Sequence, residues 1–176
     1  MRTPPESPAA LLDAGAGPTC ADPRELLLGY LDFFRAAALR KLDGLTEAQL
    51  RTPLEPMGWA PLGVLRHLGW VEHRWIRWGF RAEDVDSRPD GDDEWTVPAG
   101  VPAADVVAEY RRRVAETREI MAAAALTDLA GTGGRFRADE PPPPLVRILF
   151  HLLQEYARHV GQLDVARELI DGATGE

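Results

Sequence analysis

With 176 residues, a net charge of −8 and 45% hydrophobic residues, the chain is long enough to bury about two-thirds of the surface its unfolded form exposes and is expected to form a single domain. Its acidic balance and lack of a Lys/Arg cluster argue against a nucleic-acid partner, and no apolar run nears the roughly 20 residues of a membrane span. The single cysteine, Cys20, excludes a disulfide framework and a zinc-finger spacing, and with no export signal it points to a reducing, cytoplasmic location.

Residues 1–21 are rich in proline and small residues and are expected to be a disordered leader, with the folded domain over 22–172 and a short tail over 173–176. Asp22-Pro23 is an N-cap followed by proline in the first turn. Leu27, Tyr30, Leu31, Phe34, Ala38 and Leu42 then recur at helical spacing, predicting a first helix from Pro23 to Asp43 that Gly44 stops. Thr46-Glu47-Ala48-Gln49 is a capping-box pattern for a short turn. A second helix is predicted over Pro61–Arg81, with Val64, Leu65, Leu68, Val71, Trp75 and Ile76 inward. The acidic stretch from Glu83 to Pro102 is longer than a passive connection requires, and reads as a solvated crossover in preference to a lid. A third helix is predicted over Ala103–Leu126, with Arg111, Arg112, Arg113 and Arg118 mostly outward, then a Gly/Pro loop over Gly131–Pro144. The fourth runs from Leu145 to Ile170 and ends at Gly172. Four amphipathic helices, no strand and one long crossover between the second and third predict an all-α four-helix bundle.

The fourth helix carries the chemistry. With His151 at 0° and about 100° per residue, Glu155 falls near 40° and His159 near 80°, while Ile148, Leu149, Leu152 and Tyr156 span about 60° to 160°. A carboxylate and an imidazole one turn apart at the edge of an apolar stripe are costly to bury alone, and a cation between them lowers that cost. Bundle metal sites are built from facing helices, and His67 of the second helix completes a His2Glu set with Glu155 and His159. Three protein ligands with an open position suit catalytic zinc, and the same set would serve ferrous iron as a facial triad.

Plainer roles stand beside these. His67 alone could be a hydrogen-bonded structural residue, and Glu155 with His159 an ordinary surface pair. His151 is a ligand, a residue orienting the ligands, or part of the core edge. Glu72 falls on the inward stripe and either pairs with an arginine or supports the site. His73 is placed on the solvated face, and Trp70, Trp75 and Trp78 in the core or a subunit contact in preference to a ligand-stacking platform.

Val64-Leu65-Arg66-His67-Leu68-Gly69-Trp70-Val71-Glu72 and Glu155-Tyr156-Ala157-Arg158-His159-Val160-Gly161-Gln162-Leu163-Asp164, followed by Arg167 to Gly175, resemble the DinB-like superfamily of metal-binding four-helix bundles. The resemblance runs from about Pro23 to the C-terminus and is strongest to an actinobacterial branch containing mycothiol-dependent maleylpyruvate isomerase and mycothiol S-transferases. An arginine- and alanine-rich composition with Lys41 as the only lysine suits a high-GC genome. The resemblance implies an up-down-down-up bundle and a divalent metal, zinc foremost with iron or nickel as alternatives, held by His67, Glu155 and His159. His151 and Glu72 would support those ligands. Many superfamily members carry His where Glu155 stands, whereas the isomerase uses Glu, and close relatives often have His in place of Gln162.

The implied activity is a thiol transfer or isomerisation in which mycothiol, or a related small thiol, binds the metal as thiolate and attacks a small electrophile. A homodimer is compatible with this reading. Two alternatives remain open from the residues: a non-catalytic metal- or small-molecule-binding stress or accessory protein, and a biosynthetic enzyme using the scaffold without metal.

Overall fold

Asp22 begins the first helix as its N-cap, its carboxylate accepting from the backbone N–H groups of Arg24 and Glu25 at 2.8 and 2.9 Å. That helix, α1, spans Pro23–Leu42. Gly44, at φ +76°, supplies the left-handed turn that ends it. Thr46 and Gln49 form the expected reciprocal capping box at the start of a one-turn helix, α2 (Glu47–Arg51). The third helix, α3, is Pro61–Trp75, with proline in its first turn; α4 is Ala103–Ala122 and α5 is Leu145–Asp171. Gly172, at φ +75°, closes α5 as expected. The computed structural model describes residues 17, 19–89 and 93–174. Most of the expected leader over 1–21, and the end of the tail over 173–176, lie outside them.

Among the described residues there is no strand, only the isolated bridges Leu54–Trp59 and Leu129–Pro144, so the molecule is all-helical. α1 packs mainly on α5, and α3 packs on both α4 and α5. Leu31, Leu62, Leu65, Leu68, Ile148, Leu149, Leu152 and Tyr156 are completely buried between them. Each such leucine contributes on the order of 2–3 kcal/mol by leaving water. Burial extends almost all the way round α3, from Leu62 through Leu65 and Leu68 to Glu72 and His73, because other elements enclose it.

The predicted second helix does not continue as α-helix to Arg81. After Trp75 the chain widens into a π-helical turn, Ile76–Phe80, in which Arg81 N–H donates to the Ile76 carbonyl at 2.9 Å. The helix predicted over Ala103–Leu126, α4, stops at Ala122. The carbonyls of Leu126 and Asp128 instead accept from Val146 and Leu145 N–H at 2.9 and 2.8 Å, satisfying the open end of α5, whose N-cap Pro144 has no side chain to do so.

Three arginine contacts fix how the helix ends meet. Arg24, at the start of α1, donates to the Met121 and Ala124 carbonyls at the end of α4. Arg167, late in α5, donates to the Lys41 and Asp43 carbonyls at the end of α1. Arg77, beyond α3, lies 3.7 Å from Glu116 in the later half of α4. Side chains depart from their expected faces at Tyr30, which is exposed because α1 buries the line Leu27, Leu31, Arg35, Ala38 and Leu42, and at Arg113, which is buried with its guanidinium 3.8 Å from the Trp70 ring centroid.

Candidate metal centre

α3 and α5 bring together His67, Glu155 and His159, each offering one ligand atom within 4.8 Å of the others. Both helices reach this point because their apolar stripes meet around Leu68, Leu152 and Tyr156, which leaves the stripe margins facing each other. The His159 Nε2 lies 3.2 Å from Glu155 Oε2, and the His67 Nε2 lies 3.7 Å from the same oxygen. The imidazole centroids are 4.6 Å apart at 73°. Both histidines are buried, and Glu155 is half-buried.

The opposite ring nitrogens decide the tautomers. His67 Nδ1 is 2.7 Å from Glu94 Oε1, and His159 Nδ1 is 2.7 Å from Gln162 Oε1. Both acceptors are oxygens without a proton to give, so each Nδ1 carries the hydrogen and donates it. In the neutral rings the two Nε2 lone pairs then face a carboxylate oxygen. Three electron-rich atoms converge with nothing positive among them, and His67 Nε2 is buried without any hydrogen-bond partner. Such a cluster is stable only around a cation or a proton. Imidazoles whose outer N–H is held by an oxygen acceptor are the arrangement that metal-binding histidines adopt.

The electrostatics lean the same way. His159 at 3.2 Å, and then His67 at 3.7 Å once its ring is protonated, hold the Glu155 carboxyl far below its usual range. Burial resists charge on His67, but Glu155 and Glu94 outweigh it and raise its pKa. Burial likewise resists charge on Glu94, and hydrogen bonds from His67 and Arg74 overcome it, bringing its pKa down to about 2. A divalent ion with three such donors and further positions open is chemically consistent with this set.

Glu94 and Trp95, which sequence reasoning left in a solvated crossover, close the site from outside. Trp95 stacks on His67 at 4.0 Å and 13°, and lies 5.4 Å from the His159 ring. Glu94 is held in turn by a two-pronged ion pair with Arg74 at 2.7 and 3.1 Å. Gly63 makes this approach possible, because a Cβ there would overlap the Trp95 carbonyl oxygen. The only sequence signals for these residues were the unusual length of the loop and a tryptophan beside a carboxylate within it. Gln162, three residues beyond His159, is the other partner not anticipated.

His151 lies beside the cluster, its Nε2 3.2 Å from Glu155 Oε1 and its ring 3.9 Å from that of Trp75. Burial keeps its pKa low, with Arg135, Arg158 and Arg74 opposing the pull of Glu155. Glu72 is fully buried, and its carboxylate makes its contacts away from the three: Arg35 donates to it at 2.7 and 3.0 Å and the Tyr156 hydroxyl at 2.8 Å. The expectation that Glu72 pairs with an arginine describes this contact. His73, expected in solvent, is buried instead, with Nε2 2.8 Å from the Asp86 carbonyl, because the loop after the π-helical turn folds back over that face. Trp75 and Trp78 line a cavity of about 550 Å³ with His67, Glu155 and His151, so these two tryptophans border the site.

No helix among the described residues is long and apolar enough to cross a membrane. No curated protein matches the chain. The family model described as mycothiol-S-transferase matches residues 26–172, most of the sequence, and the chain belongs to the mycothiol-S-transferase family.

Proposed function

We propose that the protein is a cytoplasmic, metal-dependent thiol S-transferase that joins mycothiol to a small electrophile. His67, Glu155 and His159 are its metal ligands and zinc its metal. The observation that carries this reading is the buried, unpartnered Nε2 of His67 aimed at Glu155 and His159 while its Nδ1 is occupied by Glu94. Held by these three residues, a divalent ion would supply Lewis acidity, favouring the thiolate form of a coordinating thiol whose free pKa lies near 8.5. Glu94 and Gln162 hold the Nδ1 protons and so keep both imidazoles turned inward. Trp95 covers His67 and keeps water from that side. His151 steadies Glu155 from the cavity side, which is the approach left to substrate.

The scaffold is a four-helix bundle of α1, α3, α4 and α5 running up-down-down-up, with the long 81–102 connection as its crossover. Supporting this, Arg24 ties the start of α1 to the end of α4, whereas Arg167 ties the end of α5 to the end of α1. α1 and α5 therefore run alike, opposite to α4, and α3 follows α4 from the Gly69–Tyr110 approach to Arg77–Glu116. A crossover is what two neighbouring parallel helices demand.

Metal analysis of purified protein tests the centre. The parent is expected to carry close to one zinc per chain, and Glu155→Ala and His159→Ala to lose it. A parent without metal, or variants that retain it, would end the ligand assignment. Metal retained with no conjugation of mycothiol to any electrophile would favour a binding protein instead. Conjugation that survives chelation would favour metal-independent chemistry on the same scaffold.

A further inference from the structure

The cavity beside the centre contains a cation that the proposed chemistry does not use. The Arg135 guanidinium lies over Trp75, 3.9 Å from its ring centroid, and 5.8 Å from that of Trp78, and Arg135 lines the same 550 Å³ space as His67 and Glu155. No described residue offers it a carboxylate. Arg74, on the same cavity, is by contrast neutralised by Glu94. Burial, with Arg74 nearby, pushes the pKa of Arg135 down, as expected for a cation awaiting a counter-charge.

Arg135 is held there by its backbone. Its N–H donates to the Trp78 carbonyl at 3.1 Å, and Gly134 allows that approach because a Cβ would overlap the same carbonyl oxygen. The π-helical turn presents Trp78 to the loop. A guanidinium lying over an indole keeps its N–H groups at its edge, where they suit the paired oxygens of a carboxylate. From Glu155 a chain of contacts leads to Arg135 through His151 at 3.2 Å and then Trp75 at 3.9 Å. Trp75, Trp78 and His151 make the intervening walls aromatic.

We infer that Arg135 is a specificity-determining residue that binds the carboxylate of a planar, anionic electrophile lying across these aromatic walls. This rests on the thiol-transfer reading for the identity of the reaction, but the anion site can be tested apart from it. With 4-chloro-3-nitrobenzoate the reaction balances simply. The thiolate sulfur bonds to the ring carbon, the carbon–chlorine bond breaks, chloride leaves with the bonding pair, and the thiol proton passes to solvent.

Binding comes first, on chelator-treated full-length protein, by quenching of tryptophan fluorescence with unreactive 3-nitrobenzoate and its uncharged counterpart 3-nitrobenzamide. The benzoate is expected to bind about tenfold or more tighter than the amide. Arg135→Gln should erase that preference and Arg135→Lys keep part of it. Equal binding of the two compounds by the parent, or a preference untouched in R135Q, would overturn the inference. Should R135Q fail to fold, the parent comparison and R135K decide. Turnover follows, on zinc-loaded protein with mycothiol, comparing 4-chloro-3-nitrobenzoate with 4-chloro-3-nitrobenzamide. R135Q should raise KM for the benzoate alone. A raised KM for mycothiol with the amide would move the anion to the thiol and overturn the assignment to the electrophile. An Arg135-dependent benzoate preference without turnover of either chloro compound would sink thiol transfer and leave the anion site standing.

Discussion

Glu94 is a carboxylate with two partners, His67 at 2.7 Å and Arg74 at 2.7 Å, and its role follows from which of them loses more when its charge is removed. Glu94→Gln keeps an oxygen for the His67 N–H but no longer strengthens that imidazole as a donor, and it leaves Arg74 beside the cavity without a counter-ion. Partners of this kind alter metal affinity by roughly 10- to 100-fold. The variant should therefore bind zinc that much more weakly in competition with a chromophoric chelator, and unchanged affinity would show Glu94 to be a surface partner only. Glu72 should behave oppositely. Its carboxylate is fully buried and carries the charge of Arg35, itself 2% exposed. Glu72→Ala leaves that buried guanidinium with only the half-exposed Asp32, at 2.9 Å, and should cost about 3 kcal/mol in urea denaturation. Zinc content should stay at the parent level in the folded fraction, since the Glu72 contacts are with Arg35 and Tyr156; a variant of parental stability that loses zinc would place Glu72 at the metal instead.

At the scale of the element, the helices were legible because their stripes repeat at 3.6 residues and their ends carry chemistry that can be read locally: Asp22-Pro23, the Thr46/Gln49 box, Gly172. That His67, Glu155 and His159 would come together was legible for the same reason, since Glu155 and His159 share a face and His67 marks the margin of another stripe. What could not be read depends on segments without a period. Glu94 reaches His67 across 27 residues of sequence, from a loop whose acidity resembled simple solvation. His73 was misplaced because a helical wheel treats the polar face as open, while the Asp86 segment covers it. Gly63 connects the two kinds of structure. Alanine there would favour α3 by up to about 1 kcal/mol of intrinsic propensity, yet its Cβ would overlap the Trp95 carbonyl oxygen. A backbone atom cannot swing aside as a side chain can, so the loop must lift. Gly63→Ala should leave the thermal midpoint within a few degrees of the parent but weaken zinc binding and increase solvent exposure of Trp95 in fluorescence. Parental zinc affinity and emission would show that the loop does not close the site.

For the whole molecule, two buried histidines set opposing limits on stability in the presence of chelator. His67 has its pKa raised, burial being outweighed by Glu155 and Glu94. The native state then binds its proton more tightly than the unfolded chain, so this contribution is complete below the ordinary histidine value near 6.5 and is lost as pH rises through the higher folded value. His73 has its pKa lowered, by burial first and then by Arg113. Its contribution is complete above 6.5 and is lost as pH falls through the lower folded value, where the unfolded chain takes the proton first. The two slopes meet, so stability measured by urea denaturation in chelator should peak near pH 6.5. His73→Gln should reduce the acid-side slope, part of which His151, its pKa also lowered by burial, retains, and His67→Gln should flatten the alkaline side. Further down, Glu94 and Glu109, both with pKa near 2, stabilise the fold above their ordinary value near 4.5 and lose that contribution as pH falls toward 2. Hydrogen bonds and burial set Glu94, as above; for Glu109 the hydrogen bond from Arg112 comes first, with Arg113 overcoming the opposition of burial. Glu109 is the more exposed, and salt should reduce its share. Zinc should reshape the part of the curve that depends on its ligands, His67 among them, since it competes for the nitrogen that otherwise holds the proton. Saturating zinc should therefore add more stability at pH 8 than at pH 5.5, while the effect of His73→Gln is the same with or without the metal. Zinc stabilisation independent of pH across that interval would mean that the His67 imidazole is not where the ion binds.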